Sequence, residues 1–208
     1  MSIEKYTTEG LILKSYEQKE NDLVFKIWTR EFGIIFCLAT AIRKIQAKLR
    51  MKMQVNRLVI ITIVRGKEIW RLTGAEEILI FHSESNSNKK ILDSENLNYF
   101  FSLENMLEKN SIISECVNRF LPIEKSHKKL FDKLKNILVL PDLDLNNFRA
   151  LIYFIVLVET GYADALTIGA KNLEEYLNFS AVDLHINFIL HEKVVKDHLR
   201  KVLQESML

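Results

Sequence analysis

The sequence predicts an α+β chain in two parts: a small five-stranded β-barrel over residues 1–80 and an α-helical domain over residues 91–208. Short runs of β-branched and aromatic residues crowd the first 80 positions. Apolar residues at helical spacing dominate from Leu97 onward. Between them His82–Lys90, reading HSESNSNKK, is polar and linker-like.

The first strand is expected at Thr8–Lys14, short and apolar-rich. In the second, Leu23, Phe25 and Ile27 alternate with Val24, Lys26 and Trp28, as a strand with one face on a core requires. Gly33 marks a turn into Ile34–Ala39. Val59–Val64, inside Arg57–Arg65, is heavily β-branched, and Arg65-Gly66-Lys67-Glu68 is a tight turn into Ile69–Thr73. Five strands with an excursion between the third and fourth suit a small Greek-key barrel such as the OB-fold.

The helical part opens with Leu97, Phe100, Phe101, Leu103, Met106 and Leu107 at helical spacing. Pro122 separates a second helix from a third, which carries Leu130, Phe131, Leu134, Ile137 and Leu138 in one stripe. Pro141–Asp144 is a break. Asn147–Glu159 reads as a buried helix with Gly161 as its C-cap. Its apolar run, Ala150–Val158, is far shorter than the roughly 20 residues that a membrane span needs. A charged amphipathic helix is expected over Leu190–Glu205.

Composition excludes several classes. With 48% hydrophobic and 27% charged residues the chain is an ordinary globular one. Six Gly and two Pro leave no room for a long flexible linker. The two cysteines, Cys37 and Cys116, read as free core thiols in a reducing compartment, and no secretory signal is visible, so a cytoplasmic location is expected. There is no GxxxxGK[ST] or GxGxxG loop. His191 and His198 are seven apart, not the i, i+4 pair of a zinc helix. The adjacent pairs Glu76-Glu77 and Glu174-Glu175 diverge and cannot aim two carboxylates across a cleft. No enzyme, metal or cofactor is expected.

Charge is distributed unevenly. Residues 1–80 carry a net +5 and residues 81–208 a net −3. No acidic residue lies between Glu31 and Glu68, an interval holding Arg43, Lys44, Lys48, Arg50, Lys52, Arg57, Arg65 and Lys67. Like charges repel one another, and a polyanion relieves them by placing a phosphate on each cation. A solvated basic loop without a partner accounts for the same pattern.

Several segments of the first half resemble the RecO family in order and spacing: Thr8-Glu9-Gly10 before an apolar strand, Glu20-Asn21-Asp22, Thr29-Arg30-Glu31-Phe32-Gly33, Arg43-Lys44, Lys48-Leu49-Arg50, Gln54, Arg65 to Thr73, and Ala75-Glu76. Gly161-Tyr162-Ala163-Asp164-Ala165-Leu166 is similar to that family's Gly-Tyr-x-x-x-Leu signature. Two departures stand in the basic segment, where Ala41 and Ala47 replace a frequent Gly and Ser; Ala accepts positive φ poorly. The four-cysteine zinc site of many members has no counterpart here.

The resemblance implies an OB-fold followed by helices, in a non-enzymatic mediator of DNA repair and recombination in the bacterial nucleoid. Such a mediator binds and anneals single-stranded DNA, also meets double-stranded DNA, and binds the acidic C-terminal tail of single-strand-binding protein. With RecR it helps load RecA. The DNA-binding candidates are Arg43, Lys44, Lys48, Arg50, Lys52, Arg57 and Arg65, with Trp28, Phe36 and Trp70 as candidate stacking rings that more readily read as core. The tail is expected near Lys128, Lys129 and Lys133 or along Lys196, Arg200 and Lys201. The alternative is a protein-interaction scaffold whose OB domain binds no nucleic acid.

Overall fold

A computed structural model describes residues 4–44, 47–78, 94–138, 144–171 and 173–205. The expected linker His82–Lys90 and break Pro141–Leu143 lie outside the described residues, as do the side chains of Leu97, Phe100, Phe101 and Leu103. The chain divides into two compact units, one of residues 1–114 with 122–126 and the other of residues 115–121 with 127–208.

In the first unit, β1 (Lys5–Glu17), β2 (Leu23–Thr29), β3 (Gly33–Ala39), β4 (Leu58–Arg65) and β5 (Trp70–Glu77) close a barrel in the order β1-β2-β3-β5-β4. All neighbours are antiparallel except the short parallel β3–β5 pair. This is the OB-fold expected from the strand pattern.

β1 runs well beyond the expected Thr8–Lys14 because it serves two partners. Its first half pairs with β4, from Lys5↔Val64 to Leu11↔Leu58, and its second half with β2, from Gly10↔Thr29 to Glu17↔Leu23. A register shift between Ile12 and Lys14 bends the strand between the two. Gly10 pairs on both sides, and a Cβ there would come within 2.7 Å of Ile27 Cγ2 and 3.3 Å of the Trp28 carbonyl oxygen.

Alternation along the strands fills the barrel. Ile12, Phe25, Ile27, Ile35, Cys37, Val59, Ile61, Ile63 and Leu72 form the interior. Tyr6 and Phe32 meet the Trp70 ring at 5.7 and 5.0 Å and close one end. Cys37 is free and buried, and burial pushes its thiol up to about 12; Cys116 is also free, buried and raised.

α1 (Ser94–Phe120) is one continuous helix, where two were expected before Pro122. No proline or glycine interrupts Ser94–Phe120, so nothing stops it before the segment that ends in Pro122. Residues 122–126 then lie against the barrel. Ile123 bridges Ile34, the Glu124 amide donates to the Ile34 carbonyl, and Ser126 Oγ donates to the Arg30 carbonyl. Gly33 makes this possible twice over: its φ is +70°, and a Cβ would fall 2.3 Å from the Lys125 carbonyl oxygen.

In the second unit, α3 (Leu145–Glu159) is the central helix, buried on every side from Leu151 to Val158. Asp144 caps its start, accepting from the amides of Asn146 and Asn147 at 2.9 and 3.1 Å. Gly161 closes it as expected: the Gly161 amide donates to Val158 and the Tyr162 amide to Leu157, the two bonds of a Schellman turn. α2 (Lys128–Leu138) presents its Leu130–Phe131–Leu134–Ile137–Leu138 stripe to the core. A 3₁₀ turn (Ala165–Ile168) and α4 (Leu173–Asn178) lead into α5 (Ala181–Glu205).

α5 starts nine residues before the expected Leu190, because Ser180 and Asp183 form a reciprocal cap. The expected start coincides with a kink at His191, whose ring packs over Gly169. α5 buries Leu184, Phe188, Val195 and Leu199.

Substituting Gly10 by Ala forces a methyl group into a space that is already closed. It should lower stability by about 1–3 kcal/mol, read as a reduced urea midpoint for the barrel with unchanged m-value.

Candidate nucleic-acid interface

The excursion between β3 and β4 is a chain of turns held from within. Ile42 and Met53 are buried and Leu49 packs against the barrel core. Its entry is tied to the β1–β2 loop: the Ala41 amide donates to Asp22 Oδ1 at 2.8 Å and the Arg43 amide to the Asn21 carbonyl at 3.1 Å. Its exit is tied to β1, where the Asn56 amide donates to Ile12 O and the Ile12 amide to Arg57 O. Apolar anchors point inward, so the cations between them point out.

The seven candidate cations therefore separate. Arg43, Lys44, Lys48 and Arg50 are exposed on the excursion, and Lys52 is half-buried there. Arg43 reaches Glu17 at 3.2 Å, an exposed pair of little energetic weight. Lys44, Lys48, Arg50 and Lys52 have no carboxylate partner among the described residues. Arg57, at the other end of the excursion, is ion-paired to Glu77 with both side chains largely covered. Arg65 lies at the far end of β4, roughly 26 Å from Arg57 at 3.3 Å per residue, with its guanidinium 5.5 Å from the Trp70 ring centroid.

The three candidate rings also separate. Trp70 belongs to the barrel core. Trp28 is buried but points outward from the barrel, in a row with Leu11 and Ile34. Phe36 is half-exposed on the outer face of β3, next to Tyr16 of β1.

Two lysines accompany them that sequence reasoning passed over, Lys14 and Lys26. They are cross-strand partners on the outer face of β1 and β2. Partial burial, and then the charge of Lys14, hold the Lys26 ammonium below the ordinary lysine range. The signal lay in the β2 alternation, since Lys26 shares the outward phase with Val24. The pairing with Lys14 depended on the register shift in β1, which alternation alone does not reveal.

Two comparisons with known proteins concern this barrel. Residues 1–81 match the family model described as recombination protein O N terminal. The barrel resembles the RecO N-terminal domain. The chain is also similar to the DNA repair protein RecO of Rubrobacter xylanophilus, at 28% identity over 76 residues. That match covers 36% of this chain and 31% of the relative, so the chain spans about a third of the curated protein it matches.

Where the RecO family frequently has a glycine this barrel has Ala41, and the backbone takes a glycine-like conformation: φ is +55°. Asp22 secures it by accepting the Ala41 amide. Among the described residues no cluster of His, Cys, Asp or Glu is arranged to hold a metal ion, and no helix is long and apolar enough to cross a membrane.

In the helical unit, Lys133 is occupied. It pairs with Glu159 at 3.0 Å, both side chains largely buried, and stands 4.4 Å from the Tyr176 ring centroid. Lys196 and Arg200 lie on an open groove along α5 with Ile189, Leu190 and Lys193, where they pair with Glu192 at 2.6 Å and Asp197 at 3.0 Å in more exposed ion pairs.

A left-handed alanine costs roughly 1–2 kcal/mol relative to glycine. Ala41→Gly should therefore stabilise the barrel by about 1 kcal/mol, seen as a higher urea midpoint, while every cation of the excursion is kept.

Proposed function

We propose that this chain is a non-enzymatic mediator of DNA repair and recombination. In this reading it binds and anneals single-stranded DNA and, with RecR, helps load RecA onto DNA coated by single-strand-binding protein. Residues 1–80 are the DNA-binding domain and residues 91–208 the helical domain that meets protein partners. The observation that carries the reading is the excursion between β3 and β4. It is pinned at both ends and anchored by Ile42, Leu49 and Met53, and it holds Arg43, Lys44, Lys48 and Arg50 in solvent.

Annealing needs no reacting group. Two complementary strands repel one another, and a fixed cluster of cations offsets that repulsion while pairing proceeds. Binding is then independent of sequence and sensitive to salt. Arg57 and Arg65 stand apart from this cluster. With Glu77 on the one and Trp70 beneath the other, they contribute less than the four excursion cations.

The acidic tail of single-strand-binding protein docks along α5 in this reading. Leu190, 71% exposed, and Ile189 offer apolar surface there beside Lys193, Lys196 and Arg200. The Lys128–Lys129–Lys133 alternative is weaker, because Lys133 is held in a largely buried pair with Glu159, whereas the pairs of Lys196 with Glu192 and of Arg200 with Asp197 are more exposed and more readily exchanged.

Anisotropy of a labelled single-stranded oligonucleotide tests the DNA reading. Replacing Arg43, Lys44, Lys48 and Arg50 together by Ala should weaken binding and lower the salt slope by about one for each phosphate that is no longer neutralised. Unchanged affinity would sink it, and absence of binding by the parent protein at low salt would favour a scaffold role. For the tail, Lys196→Glu with Arg200→Glu should abolish capture of a tail peptide by the full chain. Retained capture would move the site off α5.

A further inference from the structure

We propose that Tyr16 and Phe36 form a base-stacking platform on the outer face of β1–β3, and that this platform makes the barrel prefer unpaired strands over duplex. The proposal rests on the reading of the barrel as a nucleic-acid-binding domain and adds the groups that choose between forms of nucleic acid.

Strand register places the residues. Lys14, Lys26 and Phe36 form one row across β1, β2 and β3, and Tyr16, Val24 and Leu38 form the next. All six share the outer face, because their neighbours Phe25, Cys37 and Ala39 fill the barrel interior. The following row on that face, Leu11, Trp28 and Ile34, is buried. The open part of the face thus consists of two rings, two lysines and two aliphatic residues.

The rings touch, with centroids 6.4 Å apart and planes at 43°, so a base lies over the pair and not between its members. Tyr16 is 39% exposed. Lys14 Nζ is 5.2 Å from the Tyr16 ring centroid, close enough for one nucleotide to engage both through its base and its phosphate.

Sheet stability alone explains the face poorly. An aromatic cross-strand pair stabilises a sheet, yet like charges directly opposite destabilise it, and Lys14 faces Lys26. Neither lysine has a carboxylate partner among the described residues. An arriving phosphate relieves that repulsion.

The rings decide which nucleic acid gains most. In a duplex each base is stacked on its neighbours and shows only its edges in the grooves. An unpaired strand can turn its base faces onto aromatic rings, and every base has such a face, so the preference is for strand state and not for sequence. Trp28 and Trp70 cannot substitute, being buried.

The test uses the full chain with Tyr16→Leu and Phe36→Leu combined, which keeps apolar bulk on the strands. Anisotropy is measured with an oligothymidine and with a blunt duplex across a salt series. Affinity for oligothymidine should fall by about tenfold or more, with duplex affinity and salt slope unchanged. The complementary Lys14→Ala with Lys26→Ala variant should lower the salt slope for both ligands. Equal loss for both ligands in the leucine variant, or no loss for oligothymidine, overturns the platform while leaving the DNA reading intact. A parent protein that binds neither ligand overturns both. Tyr16→Trp supplies a second readout: its added emission should be quenched by oligothymidine and not by duplex, and absence of quenching overturns the platform even if the leucine variant fails to fold.

Discussion

One strand holds the barrel closed. β1 contributes its first half to β4 and its second half to β2, so the sheet curls back on itself only if β1 bends where the two pairings overlap. Gly10 stands at that overlap, under the Ile27 side chain and the Trp28 carbonyl. The register shift two residues later turns the far half of the strand and brings Lys14 opposite Lys26 and Tyr16 beside Phe36. Closure and surface chemistry therefore share one cause. Without the bend there is neither an interior for Phe25 and Ile61 nor an outer face with that sequence of side chains.

The basic segment shows how a fold sorts charges that the sequence runs together. Eight cations without an intervening carboxylate suggest one patch. The barrel instead sends Arg57 and Arg65 to opposite ends of β4, where Glu77 neutralises one and Trp70 lies beneath the other. The cations kept in solvent ride on turns whose hydrogen bonds lead to the β1–β2 loop and to the middle of β1. Their position is fixed relative to the sheet, although the segment contains no regular element.

Much of this was legible in the residues. The alternation of β2, the β-branched run of β4, the stripe of α2 and the Gly161 cap each reflect a local rule, and each lies where that rule puts it. Most of the missing parts depend on residues distant in sequence. The added length of β1 follows from its having two partners, which no window around Thr8–Lys14 contains. Trp28 shares the outward phase of Lys26 yet is buried. The fusion of two expected helices into α1 reflects the absence of any breaker, a negative signal that the spacing of Leu103, Met106 and Leu107 could not supply. The Tyr16–Phe36 neighbourhood was invisible because those residues are brought together only by strands on either side of β2.

The return of residues 122–126 to the start of β3 bears on how this domain can be handled as a fragment. A piece cut at residue 81, where the family match ends, would keep all five strands but lose the chain that bridges Ile34 and seats itself against Gly33. Ile34, 1% exposed in the whole chain, would then face water alongside an unpaired stretch of β3 backbone. Exposed apolar surface beside free strand hydrogen-bonding groups invites self-association. The barrel is continuous in sequence, but its stopper is supplied from forty residues further on, about the span from 82 to 122.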